Sequence, residues 1–289
     1  GCFLLCLGLL SRSSAVGMFS RIIGGQDAQE GRWPWQVSVQ KYDDEKSEYQ
    51  HNCGGSLISA QWVVSAAHCF TPSVPPSKYR VVLGAHQLLN PSPNQVLTKV
   101  QKIIPHPRYN QTNLVADIAL MRLKKPVETT QFIRPISLPE DSRQFPENEW
   151  CWVTGWGQVE VSRPLQPPKT LQQLEVPIIE RKVCNDRFKT LIPRSPLGSH
   201  PVKTKMICAG YMDMDSPKGF CNGDSGGPLA CEQDGTWYLA GVVSWFMSTD
   251  VNGNICSEPK FPGVFTRVTA YVSWIWSEVG PSAVASPAP

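Results

Sequence analysis

The chain has 289 residues, of which 41% are hydrophobic and 18% are charged. This length allows one large domain or two ordinary ones, and the composition excludes collagen, coiled coils, low-complexity disorder and polytopic membrane proteins. Its 22 glycines and 26 prolines are scattered along the chain, which disfavours a helical bundle, and a formal net charge of +3 is too small to indicate nucleic-acid binding.

Residues 1–17 are predicted to be a secretion signal. Cys2 to Leu10 form an apolar run that is too short for a membrane-spanning helix, and Ala15-Val16-Gly17 fits the small-residue rule for signal cleavage. Because neither Met nor a basic segment precedes the run, we expect the start of the signal to be missing. The alternatives are a buried strand and a membrane anchor. Cleavage after Gly17 leaves a leader of residues 18–21, which ends at Arg21.

The cysteine pattern favours disulfides in an oxidising compartment. The chain has ten cysteines and no Cys-x-x-Cys pair, which disfavours a zinc or redox module. Removal of residues 1–21 takes away Cys2 and Cys6 and leaves eight cysteines, an even number. Residues 281–289 are small, polar and proline-bearing, so we expect a flexible C-terminal tail. This tail lacks the apolar stretch of a lipid anchor, so we expect a secreted, extracellular protein with no membrane partner.

Short apolar or alternating runs between turn residues predict strands along most of the chain. The runs are residues 35–40, 55–58, 62–65, 80–83, 96–104, 118–123, 151–154, 174–177, 237–244 and 263–267. One helix is predicted over residues 269–279, where Tyr271, Val272, Ile275 and Trp276 share a face. No repeat of fixed period is found, so we predict an all-β fold of barrels or a sandwich with a C-terminal helix.

One serine stands in a glycine-rich segment that can carry chemistry. In residues 221–229, Cys-Asn-Gly-Asp-Ser-Gly-Gly-Pro-Leu, Ser225 has three glycines around it. Glycines permit a tight loop that exposes backbone N–H groups to a reacting oxygen. The alternative is an ordinary glycine-rich hairpin turn.

A histidine and an aspartate complete a candidate catalytic set. Position 68, in Ser65-Ala66-Ala67-His68-Cys69, is a histidine, the residue type suited to act as the base that activates a serine hydroxyl. Asp117 stands at the mouth of an apolar strand, where a carboxylate must be paired, and orienting a histidine would pair it. The alternative for Asp117 is a cap at a strand edge. The four other histidines are predicted to be surface side chains: His51, His86, His106 and His200.

In the order His68, Asp117, Ser225, these motifs resemble the trypsin and chymotrypsin family of serine endopeptidases. The resemblance spans roughly Arg21 to Trp276 and includes residues 21–25, 33–37, 53–57, 151–157 and 241–245. Residues 235–237, residues 262–268 and the loop from Cys184 to Cys208 look most like the tryptase-like branch.

The resemblance implies two six-stranded antiparallel β-barrels in a domain of residues 22–280, with the active site in the cleft between them. His68 and Asp117 would come from the first barrel and Ser225 from the second. His68 would pass the proton of Ser225 to the leaving amine, and Asp117 would fix the tautomer of His68. Backbone N–H groups of Gly223 and Ser225 would hold the oxyanion. No cofactor or metal is expected.

The family pattern also implies a disulfide set and an activation step. The expected disulfides are Cys53–Cys69, Cys151–Cys231, Cys184–Cys208 and Cys221–Cys256, which use all eight remaining cysteines and leave none to tether the leader. The chain is expected to be a zymogen. An Arg-directed protease would cleave it after Arg21, and the new amino group of Ile22 would pair with Asp224.

The primary substrate pocket departs from the trypsin pattern. Gly219, beside Phe220, stands where trypsin-like members have an aspartate at the base of the pocket. Phe246 replaces a glycine after Ser244 and Trp245, residues 247–255 lengthen the next loop, and Gly263 keeps the rear wall open. We therefore expect weak or no cleavage after Arg or Lys and a preference for small or medium apolar residues. The alternative is that Glu258 reaches a basic substrate from the loop.

The sequence thus predicts a secreted serine endopeptidase with a restricted pocket. Its expected partners are protein or peptide substrates, an activating protease and protein protease inhibitors, with no nucleic acid. The alternative is a catalytically weak or inactive binding protein on the same fold. Asn110-Gln111-Thr112 is the predicted N-glycosylation acceptor, because Pro91 excludes Asn90.

Overall fold

The computed structural model describes residues 25–157, 165–189, 200–212, 224–246, 248–251, 254–257 and 261–280. The predicted signal, leader and tail lie outside these residues. In chain order the strands are β1 (Gln26–Asp27), β2 (Gln36–Asp43), β3 (Glu48–Ser59), β4 (Trp62–Ser65), β5 (Tyr79–Leu83), β6 (Val96–Pro105), β7 (Ala119–Leu123), β8 (Trp150–Gly155), β9 (Gln172–Ile179), β10 (Met206–Ala209), β11 (Pro228–Gln233), β12 (Thr236–Trp245), β13 (Ser248–Val251), β14 (Asn254–Ser257) and β15 (Gly263–Arg267). The α-helices are α1 (Arg181–Lys189) and α2 (Val272–Val279), and 3-10 turns lie at Ala67–Cys69, Pro76–Lys78 and Val268–Ala270.

The first six long strands form a closed antiparallel barrel in the order β2-β3-β4-β7-β6-β5. Cross-strand pairs show why the apolar pattern closes it: Val37 faces Leu83 and Val39 faces Val81, and all four side chains are fully buried. Facing β-branched and leucine side chains stabilise such pairs and fix their register.

The second barrel uses β8, β9, β10, β15, β12 and β11 and closes where β8 pairs with β9. The short β1 pairs with the start of β9, at Gln172 and Gln173. The predicted all-β fold of two six-stranded antiparallel barrels with a C-terminal helix is therefore confirmed.

Three disulfides brace these elements. Cys53–Cys69 ties β3 to the turn that carries His68, Cys151–Cys231 joins the paired strands β8 and β11, and Cys184–Cys208 joins α1 to β10. For the fourth expected pair, Cys221 and the side chain of Cys256 lie outside the described residues.

A group of tryptophans packs the two barrels together. The ring centroid of Trp33, which precedes β2, lies 5.2 Å from that of Trp237 in β12 and 5.5 Å from that of Trp152 in β8. The guanidinium of Arg32 lies 5.0 Å from the Trp33 ring, as in a cation–π contact. Large aromatic rings in edge-to-face and tilted contacts at this junction stabilise the packing of the segment before the first barrel on the second barrel.

Several elements differ from the sequence prediction. Helix α1 was not predicted because its sequence is mostly charged, although Cys184 and Phe188, four residues apart, are fully buried. Strands β10 and β11 were also missed, and the predicted loop insertion contains the hairpin of β13 and β14. Strand β3 begins at Glu48 instead of residue 55, and α2 begins at Val272 after a 3-10 turn instead of at residue 269.

Candidate active site

The buried carboxylate of Asp117 is the centre of the site. Asp117 immediately precedes Ile118 and β7, and it has no exposed surface. Its Oδ1 accepts the backbone N–H of His68 at 2.9 Å, and its Oδ2 accepts the hydroxyl of Ser244 at 2.6 Å. These two donors and the imidazole of His68 replace the water that the charge loses on burial.

His68 lies in the 3-10 turn after β4, with its Nδ1 2.7 Å from Asp117 Oδ2. Because an ionised carboxylate only accepts hydrogen bonds, Nδ1 carries the proton in this contact and Nε2 is left with its lone pair. The imidazole is partly exposed and lines a cavity. An imidazole held in this way can act as a general base.

The phenol groups of two tyrosines near the Asp117 carboxylate are neutral. Burial, together with the Asp117 charge, raises the pKa of Tyr109 to about 12. The pKa of Tyr271 is also raised, chiefly by burial, although a hydrogen bond with the backbone of Ala116 opposes the rise. Neither phenol ionises near neutral pH, so neither adds a second negative charge beside Asp117.

A tight turn from Asp224 to Gly227 presents Ser225. The N–H of Gly227 donates to the carbonyl of Asp224 at 3.0 Å, and Gly226 has a φ of +78°, which a glycine adopts without strain. A Cβ on Gly226 would lie 2.2 Å from Ser65 Oγ. The N–H of Gly54 donates to the carbonyl of Ser225 at 2.8 Å. The turn of the second barrel therefore docks directly on the first barrel.

This docking brings Ser225 and His68 to one cavity of about 260 Å³. The cavity is also lined by the Cys53–Cys69 disulfide and by Asn52, Lys41 and Thr71. All three predicted catalytic residues are therefore in the described structure: Asp117 and His68 in contact, and Ser225 on the same cavity as His68.

Asp224 is buried in a space that two glycines provide. A Cβ on Gly155 would lie 2.3 Å from the Asp224 carboxylate, and one on Gly157 would lie 2.6 Å from it. The N–H of Gly157 donates to Asp224 Oδ1 at 3.0 Å. The glycines of the segment 155–157 thus make room for a carboxylate directly next to Ser225.

The predicted pocket residues are only partly described. Trp245 is buried and packs on Phe188, at 4.9 Å between ring centroids, while Phe246 is half-buried against the core of the second barrel. Gly263 begins β15 opposite Ala209. Seven predicted site residues lie outside the described part of the chain: Arg21, Ile22, Gly219, Phe220, Cys221, Gly223 and Glu258.

The structure adds residues and roles that the sequence did not indicate. Ser244 was predicted only as a pocket residue, yet it donates to Asp117; the hydroxyl of Thr266 also donates to the Asp117 carbonyl, at 2.7 Å. Both contacts join residues more than 120 positions apart, so local sequence carries no signal for them.

Three of the four histidines predicted at the surface, His51, His86 and His106, are only partly exposed. The imidazole of His51 bonds Ser38 at 2.8 Å and that of His86 bonds the Ala28 carbonyl at 2.8 Å. His106 packs on two aromatic rings, and burial, reinforced by Lys205 and Arg108, lowers its pKa. Only His200 among the four is exposed.

Two groups of side chains have the spacing of metal ligands within the described residues. One is Cys53, His68 and Cys69, and the other is Glu149, Cys151 and Cys231. The cysteines of both groups are in disulfides, and metals bind thiolates, so neither group offers a full ligand set.

Comparison with known proteins identifies the class. A family model described as Trypsin matches residues 22–275. A protein named tryptase from the mouse, Mus musculus, is 43% identical over 256 residues, which cover 88% of this chain and 87% of the relative. The chain belongs to the trypsin family of serine endopeptidases. Within that family it is a member of the tryptase-like branch.

The described residues contain no helix with the length and apolar character needed to cross a membrane.

The bond from Ser244 to Asp117 gives a stability prediction. Replacement of Ser244 by alanine removes a donor from a buried charge, so Ser244→Ala is expected to lower the free energy of unfolding by about 1.5–3 kcal/mol. Urea denaturation measures this loss.

Ser273→Ala is the matched control, because the Ser273 hydroxyl donates to Asp141 at 2.7 Å on an exposed surface. There the same change should cost less than about 0.5 kcal/mol. Equal stability of the two variants would contradict the role given to Ser244.

Proposed function

We propose that this chain is secreted as an inactive precursor and that, after cleavage at Arg21, it hydrolyses peptide bonds through Ser225, His68 and Asp117. The observation that carries the proposal is the contact of His68 Nδ1 with the buried Asp117, with Ser225 on the same cavity as that imidazole.

In the proposed mechanism His68 moves the proton. Its Nε2 takes the proton of Ser225 Oγ as that oxygen attacks the peptide carbonyl, and the imidazolium then protonates the leaving amine. Asp117 stabilises the imidazolium and holds its orientation. Water then attacks the acyl-serine, His68 takes its proton, and collapse of the second tetrahedral intermediate returns the proton to Ser225 and releases the acid.

The oxyanion is assigned to the backbone N–H groups of Ser225 and Gly223. The turn supports this assignment, because the N–H of Gly226 donates to Val243 and that of Gly227 donates to Asp224. Within the described residues, the N–H of Ser225 has no such intramolecular acceptor, so it is the group of this turn that can serve a substrate. Loss of one oxyanion donor typically costs about 10²–10³ in rate.

The proposed activation step is supported by the position of β1. Asp27 pairs with Gln172 of β9, and Gln172 pairs on its other side with Gly155, which contacts Asp224. Asp27 is therefore about two strand spacings, roughly 10 Å, from Gly155. Ile22 is four residues before Gln26, and four extended residues span up to about 14 Å. A free amino group on Ile22 thus has the reach to pair with Asp224.

That pair would organise the turn that holds Ser225. Asp224 is buried and adjacent to Ser225, and loss of one partner of a buried ion pair costs about 3–5 kcal/mol. The family match begins at residue 22, directly after Arg21, which supports this cleavage point. The proposed precursor has a signal at residues 1–17, a leader at 18–21, a protease domain at 22–280 and a tail at 281–289. Protein inhibitors that enter the same cleft are a further expected class of partner.

Activity is expected only after cleavage. The purified precursor is treated with an Arg-directed protease, its new N-terminus is sequenced, and both forms are incubated with a fluorophosphonate probe that labels reactive serines. The cleaved form should begin at Ile22 and be labelled at Ser225, whereas the precursor should be labelled weakly or not at all.

Ser225→Ala, cleaved in the same way, is the control and should show no labelling. An active form that begins at another residue contradicts the activation step. Absence of labelling in a chain that does begin at Ile22 supports the alternative, an inactive binding protein on this fold.

The proposed specificity follows from the residue at the pocket base. Gly219 provides no carboxylate for an Arg or Lys side chain, and a buried cation without a partner is costly. Among the described residues, Phe246 adds an apolar ring, half-buried beside the core of the second barrel.

Substrates with alanine or valine before the scissile bond are therefore expected to be cleaved faster than the matched arginine substrate, as measured by kcat/KM. Gly219→Asp should reverse the order. Glu258→Gln tests the alternative that Glu258 binds a basic substrate. This substitution should lower kcat/KM for the arginine substrate only if Glu258 is the counter-ion of the arginine. Faster cleavage after arginine by the unchanged enzyme would contradict the proposed pocket.

A further inference from the structure

We propose that Asn110 carries an N-linked glycan at the rim of the substrate cleft, and that this glycan makes the enzyme favour short or unfolded peptides over folded proteins. The inference rests on the proposed function, since it concerns the substrates of the same site.

Asn110 begins a closed loop, residues 110–115, which we call the Asn110 loop. The N–H of Asn110 donates to the carbonyl of Val115 at 3.0 Å, and these two residues form an antiparallel bridge. Asn113 Oδ1 accepts the N–H of Val115 at 3.1 Å. These bonds hold the base of the loop in a defined conformation.

The conformation of Asn110 suits the attachment of a sugar. Its Oδ1 accepts the N–H of Thr112 at 2.9 Å and that of Asn113 at 3.2 Å. Asn110 is exposed, and its Nδ2, the atom to which a glycan is attached, takes no part in these two bonds. The same turn holds Thr112 of the acceptor motif close to Asn110.

The attachment is a group transfer from a lipid-linked oligosaccharide pyrophosphate, which the secretory pathway supplies. The bond between the first sugar carbon and the phosphate oxygen breaks, the bond from that carbon to Asn110 Nδ2 forms, and Nδ2 loses one proton. The lipid pyrophosphate is the leaving group. No electron transfer is involved.

The base of the Asn110 loop is close to Asp117. Val115 is two residues before Asp117, which limits their Cα separation to about 7 Å, and bridged Cα atoms are about 5 Å apart. The Cα atoms of Asn110 and Asp117 are therefore within about 12 Å of each other.

The loop also packs on the second barrel. Leu114 and Val115 contact the buried apolar cluster that contains Trp245 and Phe188, and Trp245 directly follows the Ser244 that binds Asp117. A glycan on the exposed Asn110 would therefore start from a loop anchored on the cluster that includes Trp245, a residue of the predicted substrate pocket.

A branched glycan at this place acts by its volume. An extended peptide can enter the cleft beneath it, because a single chain needs little room above the cleft. A folded substrate must bring its whole surface against the rim, and there it meets the sugar. The glycan should therefore slow the association of folded substrates and leave the reaction at Ser225 unchanged.

The test uses the full chain made in a eukaryotic secretory host, in three forms. Wild type and Thr112→Ser keep the acceptor motif, and Thr112→Ala removes it while Asn110 stays in place. The mass of each form is measured before and after treatment with a peptide N-glycosidase. After activation, kcat/KM is measured for a short peptide and for a folded protein that displays the same cleavage sequence in a surface loop.

Wild type and Thr112→Ser should lose mass on deglycosylation, and Thr112→Ala should not. All forms should cleave the short peptide with equal kcat/KM. Thr112→Ala should cleave the folded protein about tenfold faster than wild type does, because association rates vary by about this factor among variants of one interface. Enzymatic deglycosylation of folded wild type should give the same increase in kcat/KM for the folded protein. This measurement does not depend on whether a variant folds.

A wild-type protein without the glycan mass overturns the inference, as does a glycosylated protein whose ratio of the two kcat/KM values does not change on deglycosylation. Failure of the activated wild type to cleave the short peptide overturns the proposed function, and this inference with it. The mass measurement and the peptide assay therefore distinguish the two failures.

Discussion

The burial of one negative charge, that of Asp117, constrains the rest of the site. A carboxylate without exposed surface is stable only when donors replace the lost water, and Asp117 obtains them from distant parts of the chain. His68 supplies its backbone N–H and its imidazole from the first barrel, and Ser244 supplies a hydroxyl from β12 of the second. The same contacts that stabilise the charge fix the orientation of the imidazole, so the stability of the fold and the geometry of the proposed catalytic base have one origin.

The second requirement is that the two barrels approach closely enough for Ser225 to meet His68. Glycines make that approach possible. Gly226 leaves space against Ser65 and Gly54 donates to the Ser225 carbonyl, whereas Gly157 leaves space within the second barrel for the Asp224 carboxylate. Gly226 is thus a position where a Cβ would push the barrels apart, in addition to one that needs an unusual backbone conformation.

Sequence patterns predicted the features that depend on local chemistry. Strands β4 and β15 have the predicted bounds because their residues are apolar and bounded by turns. The polar half of β3 and the charged helix α1 were not predicted, because their stability comes from pairing and from a few buried side chains such as Phe188. The Ser244 and Thr266 bonds to Asp117 and the half-buried state of His51 depend on residues far apart in the chain, and only the folded structure shows them.

The proton between His68 and Asp117 can be observed directly by proton NMR in water. With Nδ1 2.7 Å from a buried carboxylate, its hydrogen should give a far-downfield resonance. That resonance should persist in Ser225→Ala, which leaves the pair intact. It should disappear in Asp117→Asn, where the amide donates to Nδ1 and moves the imidazole proton to Nε2. A spectrum of the folded protein without this resonance, or one in which it survives Asp117→Asn, would contradict the account of the site.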